Sequence, residues 1–241
     1  SRAALAVEDG GVLRGLGQSA LGGGAVAGLL RFQNQDLVDA RNRVGQLAAA
    51  VGGAVNEQQR RGLNLQLPPG QVAAADLFAL GPALALPHAG NARDAGGTPI
   101  GGVALTVVNP AALQASEYEL RQNPVDAAQW QLTRLSDGLV RTVASGAVVD
   151  GVRIDFANPG PQDGDRFLLQ PVARAANGMS LLLSDPRELA AAARLVASSG
   201  PANAGSAAVV RLDVNTAPSP VPGASTRITF TDDNGSYAWE L

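Results

Sequence analysis

An apolar stripe along one long helix constrains the fold of this chain more than any other sequence feature. Between Leu29 and Arg61, apolar residues recur at every seventh position, and a second set follows at a three-residue offset. The two sets are Leu30, Leu37, Val44 and Val51, and Ala40, Leu47 and Ala54. This spacing places them on one face of a helix, interrupted only by Gln33, with charged and polar residues on the opposite side. The pattern predicts a long amphipathic helix that packs along one side.

Two interpretations of the stripe remain open at this point. It is either the inner face of a core helix in a globular domain, or a coiled-coil seam that awaits another helix. About four heptads is the minimum length for a coiled coil, and the small alanine positions favour close packing. The residues predicted to form this packing seam are Leu30, Leu37, Val44, Leu47 and Val51.

The chain itself offers little to cover such a seam. Burying one Leu or Val side chain contributes about 1.5–3 kcal/mol, so some cover is expected. The only other helical candidate, residues 186–197, is about 18 Å long at 1.5 Å per residue, against about 50 Å for the main helix. We therefore expect partial cover from residues 3–14 and from the loop around Phe78.

Glycine and proline mark the boundaries of the helix. Residues 3–14 read as a hairpin that turns at Glu8-Asp9-Gly10-Gly11, and Gly22-Gly23-Gly24 stops that element. At the other end, Gly62 is predicted to be the C′ residue, the position after a helix that often adopts a left-handed conformation. Pro68-Pro69-Gly70 then closes this first region.

From about Leu77 onwards the apolar period changes from seven to two, which is typical of half-buried strands. Glu117, Glu119 and Arg121 are expected to point outward from one of them. Frequent turn signals between the strands indicate an antiparallel β domain rather than a βαβ sheet. The predicted strands lie at residues 103–107, 118–120, 130–132, 152–156, 167–170 and 181–183.

Three further elements are predicted towards the end of the chain. Pro186 follows Ser184-Asp185 and opens a short helix. Val210, Leu212 and Val214 alternate as in a strand. Residues 225–241 form a hairpin around Asp233-Asn234-Gly235.

The last hairpin looks like an internal repeat. Tyr118-Glu119-Leu120 leading to Trp130-Gln131-Leu132 corresponds to Ile228-Thr229-Phe230 leading to Trp239-Glu240-Leu241. We therefore expect two equivalent hairpins in two separate β modules.

The fold class predicted from these patterns is α+β, with one long amphipathic, coiled-coil-like helix and antiparallel β domains of short strands. We expect three parts. Residues 1–66 form part of a helical rod domain, residues 67–199 form an antiparallel β domain, and residues 200–241 begin a second, incomplete β module.

The sequence contains no constellation that indicates catalysis. It has no cysteine and a single histidine, His88, which is either a catalytic base or, with nothing supporting it nearby, a loop residue. Asp163-Gly164-Asp165 lacks the spaced carboxylates of a calcium loop and indicates a turn. Gly22-Gly23-Gly24 lacks a phosphate-binding context and indicates a connection. The chain is therefore predicted not to be an enzyme and to have no catalytic, cofactor-binding or metal site.

Charge and hydropathy narrow the possible partners. The net charge is −3 and the pI is near 5.1, which provides no basic footprint for nucleic acid or an anionic membrane. No apolar run approaches the ~20 residues of a membrane span. We expect neither a nucleic acid nor a membrane as partner.

The helix and the first strands resemble a known family. The helix contains Gly28-Leu29-Leu30-Arg31-Phe32-Gln33-Asn34-Gln35-Asp36-Leu37, then Arg41-Asn42 and Gly45-Gln46-Leu47-Ala48. It is followed by Asp76-Leu77-Phe78-Ala79-Leu80-Gly81 and by the hairpin from Ala115 to Ser136. In this order and spacing, roughly residues 26–195 resemble the flagellar hook-associated protein 1 family, which forms the junction between hook and filament.

The resemblance implies a structural protein of the bacterial flagellum that joins hook to filament by subunit packing, without catalysis or cofactor. It implies an extracellular location, reached by export through the flagellar channel. The implied partners are the hook protein, the second junction protein and copies of the protein itself in a ring. The chain is expected to be an internal fragment that lacks the terminal axial helices and is a monomer when isolated.

A different functional class remains as the alternative. Thr-rich strands and polar loops are also found in β-rich cell-surface adhesins and carbohydrate-binding modules. Long amphipathic helices at both ends of the full-length gene product would favour the junction protein. A signal peptide and an anchor would favour the adhesin.

Overall fold

The computed structural model has the predicted α+β fold, with one long helical segment and antiparallel sheets of short strands. It forms two compact units, one of Ser1–Val55 with Phe78–Leu181 and one of Asn56–Leu77 with Leu182–Leu241. The three-part division at residues 66 and 199 stays a prediction. The structure describes residues 5–16, 21–66, 74–123, 126, 129–201, 203–206, 208–212, 225–232 and 234–240.

The helical segment is continuous over 38 residues. It consists of α1 (Gly24–Arg31), a single π-helical turn (Phe32–Asp36) and α2 (Leu37–Arg61). It begins at Gly24, earlier than the predicted helical stretch, which starts at Leu29. Gly22, Gly23 and Gly24 all have positive φ, a conformation that glycine adopts readily, and they lead directly into the helix.

The helix ends where predicted, with Arg61 directly before Gly62, but Gly62 does not have the predicted C′ conformation. Gly62 lacks the positive φ of a C′ glycine and is the first residue of β3 (Gly62–Leu63), which pairs with β14 (Ala192–Ala193). A glycine is needed here for space, because a Cβ atom at position 62 would lie 2.6 Å from the Cβ of Ala190. The chain therefore passes directly from helix to strand, and Pro68-Pro69-Gly70 lies outside the described residues.

The first hairpin is confirmed. Strands β1 (Leu5–Asp9) and β2 (Val12–Leu16) pair antiparallel with Asp9 opposite Val12. The two residues between them, Gly10 and Gly11, have φ of 58° and 82°, as a type I′ turn requires. Residues 3 and 4 of the predicted hairpin lie outside the described part.

The predicted antiparallel pairing of short strands is confirmed, and the strands of the first compact unit beyond the first hairpin form two larger sheets. The five-stranded sheet has the order β5-β12-β7-β8-β9 and the three-stranded sheet the order β10-β11-β6, while β4 pairs with β13 in a short ladder. Their bounds are β4 (Phe78–Ala79), β5 (Leu84–Pro87), β6 (Val103–Val107), β7 (Tyr118–Gln122), β8 (Trp130–Arg134), β9 (Val140–Val143), β10 (Ala147–Val149), β11 (Val152–Phe156), β12 (Arg166–Gln170) and β13 (Ser180–Leu181).

The main core lies between these two sheets. Leu120 and Phe167 from the larger sheet and Ile154 from the smaller one are almost completely buried. The rings of Trp130 and Phe156 meet edge to face at 5.8 Å. Alternation along each strand produces this core, because every second side chain faces the other sheet.

One acidic residue departs from its expected orientation. Glu117 is buried rather than outward, and Gln170 Nε2 donates to its Oε1 at 2.6 Å. Glu117 precedes β7, so the alternation of that strand does not apply to it.

The predicted helix at residues 186–197 is only one turn long. Asp185 and Glu188 form a reciprocal capping box around the 3₁₀ turn Pro186–Glu188, which confirms the predicted start. Leu189 then has an extended backbone with ψ of 143°, and β14 follows, paired with β3. Strand pairing outweighs the helix propensity of the alanine-rich sequence here.

The C-terminal hairpin is confirmed, but its correspondence to the earlier one is wrong. Strands β15 (Arg227–Phe230) and β16 (Tyr237–Glu240) place Ile228 opposite Trp239. In the predicted repeat, Tyr118 corresponds to Ile228 and Trp130 corresponds to Trp239. An equivalent hairpin would therefore have Tyr118 opposite Trp130.

The earlier hairpin has a different register. Tyr118 lies opposite Arg134, and Trp130 lies opposite Gln122. Different connecting loops set different registers, so similar residues occupy different cross-strand pairs.

The strand predicted around residue 210 is also wrong for its described part. Residues 208–212, which include Val210 and Leu212, carry no strand. Val214 lies outside the described residues.

Candidate assembly surface

The predicted seam is on the outside of the chain. The exposed fractions are 40% for Leu37, 58% for Val44, 65% for Leu47 and 49% for Val51. Leu30 is half-buried. The seven-residue spacing thus produces a continuous apolar stripe along α2 that is open to solvent.

The prediction that other parts of the chain partly cover this stripe is wrong for these four side chains. The hairpin of residues 3–14 and the loop around Phe78 leave all four exposed. Large contiguous apolar patches are rare on the surface of monomeric proteins, so this stripe is a candidate interaction surface.

A different face of α2 is buried, and it consists of small and polar residues. In the first compact unit these are Asn42, Gly45, Ala49 and Gly52. They recur at alternating spacings of three and four, so they form a second stripe parallel to the apolar one.

Glycine allows this buried face to approach the β domain closely. A Cβ atom at Gly45 would lie 1.9 Å from the carbonyl oxygen of Val172, and one at Gly52 would lie 2.8 Å from Leu80. Any side chain larger than hydrogen at Gly45 would collide with fixed backbone.

Other contacts between α2 and the β domain in this unit include apolar packing and a hydrogen bond. Ala49 lies in a second buried cluster with Leu113, Val152, Val172 and Ala175. Gln46 Nε2 donates to the carbonyl of Leu113 at 2.5 Å. The helix is therefore anchored to its β domain through the face opposite to that expected from hydrophobicity.

In the second compact unit, amide side chains at the end of α2 bind backbone groups. Asn56 Oδ1 accepts from the N–H of Leu77 at 3.0 Å. Gln59 donates to the carbonyl of Glu188 at 2.9 Å and accepts from the N–H of Ala190 at 3.1 Å. These bonds satisfy backbone groups outside regular secondary structure.

This buried face is not among the faces predicted from the sequence. The available signal was the repetition of small or amide residues, since 42, 49 and 56 are seven apart, as are 45, 52 and 59. Hydrophobic periodicity does not detect such a stripe, because glycine and amides have low hydropathy.

Ionisable groups in the β domain form a structural network. Tyr118 Oη donates to Asp150 Oδ2 at 2.7 Å, and Arg134 Nη1 donates to the same oxygen at 3.0 Å. Burial, together with the bond to Asp150, raises the pKa of Tyr118 well above its ordinary value. The hydrogen bonds from Arg134, helped by the N–H of Leu139, lower the pKa of Asp137 to about 2.

The residues considered for chemistry have local structural roles. His88 Nδ1 accepts from the N–H of Gly90 at 3.1 Å in a loop. Asp163-Gly164 forms a turn, and Asp165 is buried and accepts from the N–H groups of Ala92 and Gln162.

Two features are absent from the described residues. No three His, Cys, Asp or Glu side chains in the described ranges are grouped so that they could hold a metal ion. Within the same part of the chain, no helix has the length and apolar character needed to cross a membrane.

Two family models match the chain. The model described as flagellar hook-associated protein FlgK helical domain matches residues 1–78. The model described as flagellar hook-associated protein 1, D2-like domain, matches residues 90–171. Together the two matched ranges span more than half of the chain.

Individual relatives agree with these matches. The chain is 34% identical over 173 residues to flagellar hook-associated protein 1 of Escherichia coli K12, and 32% identical over 175 residues to that of Salmonella typhimurium. Each alignment covers 70% of this chain, and the chain spans only 29% of the length of either relative.

A solved structure has a similar fold. The flagellar hook junction protein FlgK from Burkholderia pseudomallei superposes with a TM-score of 0.62 at 25% sequence identity. The match covers 76% of this chain and 32% of that one.

Proposed function

Since this chain belongs to the flagellar hook-associated protein 1 family, we propose that it is a structural part of the bacterial flagellum that joins hook to filament. It acts through packing between subunits and not through catalysis. It is exported to the outside of the cell through the flagellar channel. Its partners there are the hook protein, the second junction protein and further copies of itself in a ring.

The exposed apolar stripe is the observation that carries this proposal. Leu37, Val44, Leu47 and Val51 remain exposed although the helix is anchored to a β domain through another face. Burying one such side chain contributes about 1.5–3 kcal/mol, so covering several of them together can stabilise the helical domain on which packing between subunits depends. The stripe is thus the seam along which the protein packs against other helices.

The helices that cover the stripe come from the same protein, outside residues 1–241. The chain spans 29% of the relatives' length, so most of a full-length relative remains to supply them. Coiled-coil packing suits this surface, because its apolar residues repeat every seven positions.

The substitution Val44→Asp in the full-length protein tests the proposal. A carboxylate in the covered seam would be desolvated without a partner, so cells should lose filament attachment and motility. The control is Asp39→Lys, which changes the charge at an exposed position of the same helix that lies off the stripe. It should leave filaments and motility normal.

Normal filaments in the Val44→Asp strain would contradict the proposal. Loss of filaments in both strains would show that α2 is sensitive to charge in general and that the stripe has no special role. The relatives of this chain are flagellar proteins, which favours this function over an adhesin or a carbohydrate-binding module.

A further inference from the structure

The helical segment contains one wide turn, Phe32–Asp36, in which backbone hydrogen bonds reach back five residues instead of four. The N–H of Leu37 closes it by donating to the carbonyl of Phe32. Such a turn takes up one residue more than an α-helical turn. The heptad positions on its N-terminal side are therefore occupied by residues one place earlier in the sequence than an uninterrupted helix would have there.

This displacement changes which residues continue the stripe towards the N-terminus. In an uninterrupted helix, the stripe positions before Leu37 would be Leu30 and Gln33. With one additional residue in the turn, Leu29 and Phe32 take those places. Gln33, the polar residue that interrupts the sequence pattern, leaves the stripe, and an aromatic side chain replaces it.

The exposure of the side chains agrees with the displaced pattern. Leu29 is 68% exposed and Phe32 is 56% exposed, like the stripe residues of α2, whereas Leu30 is half-buried. These two large apolar side chains are in solvent eight and five residues before Leu37, and in the displaced pattern they extend the same apolar surface.

We propose that Leu29 and Phe32, and not Leu30, form the N-terminal end of the assembly surface, and that the wide turn keeps them in line with it. The inference rests on the proposed function, because it assigns residues to the same seam. The occupant is the one already assigned, a helix of the same protein from outside residues 1–241. Its contacting side must be apolar here, because Leu29 and Phe32 carry no charge or hydrogen-bonding group.

Thiol labelling in the full-length protein tests this assignment, because the present sequence contributes no cysteine of its own. Phe32→Cys, Gln33→Cys and Val44→Cys each introduce one thiol into a background without other cysteines. Phe32→Cys and Val44→Cys should react about tenfold or more slowly than Gln33→Cys, a factor equivalent to about 1.4 kcal/mol of opening free energy.

The result for Val44→Cys separates the two possible failures. If it is protected but Gln33→Cys reacts as slowly as Phe32→Cys, or more slowly, the displaced register is wrong and the proposed function stands. If Val44→Cys reacts as fast as Gln33→Cys, the seam is uncovered, and the proposed function and this inference fail together.

The melting temperature of the full-length Gln33→Leu variant provides a second measurement that does not depend on labelling. In the displaced register, position 33 lies off the seam, so the melting temperature should stay unchanged. In an uninterrupted register the new leucine would complete the stripe and raise the melting temperature. A rise would therefore overturn the assignment.

Discussion

At the residue scale, Asp150 joins separate parts of the β domain. It is a non-glycine residue with a positive φ, 48°, and with Gly151 it forms the tight turn between β10 and β11. Its carboxylate accepts from Tyr118 on β7 and from Arg134 on β8. These bonds connect the smaller sheet to the larger one, since β7 and β8 belong to the five-stranded sheet.

Tyr118→Phe should lower the free energy of unfolding by about 1.5–3 kcal/mol, the usual contribution of a hydrogen bond to a charged group. The change removes only the hydroxyl and leaves a largely buried carboxylate with one donor fewer. Urea denaturation of the 241-residue chain measures the effect.

Tyr237→Phe is the matched control, because Tyr237 is exposed on β16. It should change the stability by no more than about 0.5 kcal/mol. Equal effects of the two substitutions would show that the bond to Asp150 does not contribute to stability.

At the element scale, α2 uses two stripes with opposite roles. The apolar one is exposed, and the one lined by glycine and amides is buried. Glycine in a helix interior costs about 1 kcal/mol relative to alanine, so glycines at buried positions of α2 need a compensating gain. At Gly45, the helix backbone packs closely against the backbone of Val172, and this packing supplies the compensating gain in stability.

Gly45→Ala should therefore destabilise the chain by about 1–3 kcal/mol, through overpacking against the carbonyl of Val172. Gly28→Ala is its counterpart, because a Cβ at position 28 in α1 would meet nothing within 4 Å. That substitution should stabilise the chain by about 0.5–1 kcal/mol through helix propensity alone. Thermal unfolding of both variants measures the difference, and a stabilising Gly45→Ala would refute the close packing.

The same helix shows which features a sequence can predict. Leu37, Val44 and Val51 were located correctly on one face, because apolar periodicity is a local property of the sequence. Which face is buried could not be predicted from the helix. Burial depends on distant partners, such as the carbonyl of Glu188, which accepts from Gln59 across 129 residues of sequence.

The β strands were easier to predict than the helix packing, because each contains its own alternation and is bounded by turn residues. The prediction of a short helix after Pro186 failed for a non-local reason. The residues that should have continued it form β14, which pairs with β3, a strand distant in sequence. The register that we propose for the seam before Leu37 depends on the wide turn Phe32–Asp36. No apolar pattern distinguishes a turn of this kind from an ordinary helical turn.

At the scale of the whole molecule, one face of α2 packs on the chain's own β domain, and another carries the exposed stripe to which we assign the role in assembly. A substitution on the apolar stripe should therefore impair assembly without unfolding the chain. A substitution on the buried face should do the reverse and act on folding first.

In the 241-residue chain, Val44→Asp should change the free energy of unfolding by no more than about 0.5 kcal/mol, as is usual at exposed positions. Ala49→Asp should destabilise it by about 3 kcal/mol or more, because its carboxylate would be buried without a partner. Circular dichroism during denaturation distinguishes the two. An unfolded Val44→Asp chain would show that Val44 belongs to the chain's own core.

The two parallel stripes also restrict how the length of this helix can change in evolution. Both repeat every seven residues, so an insertion of two or three residues between Asn42 and Gly53 would turn part of each stripe away from its partner. A change by a whole heptad keeps both stripes facing in nearly their original directions. Before Asn42, no described helix residue is buried, and there a single extra residue is accommodated by a wide turn.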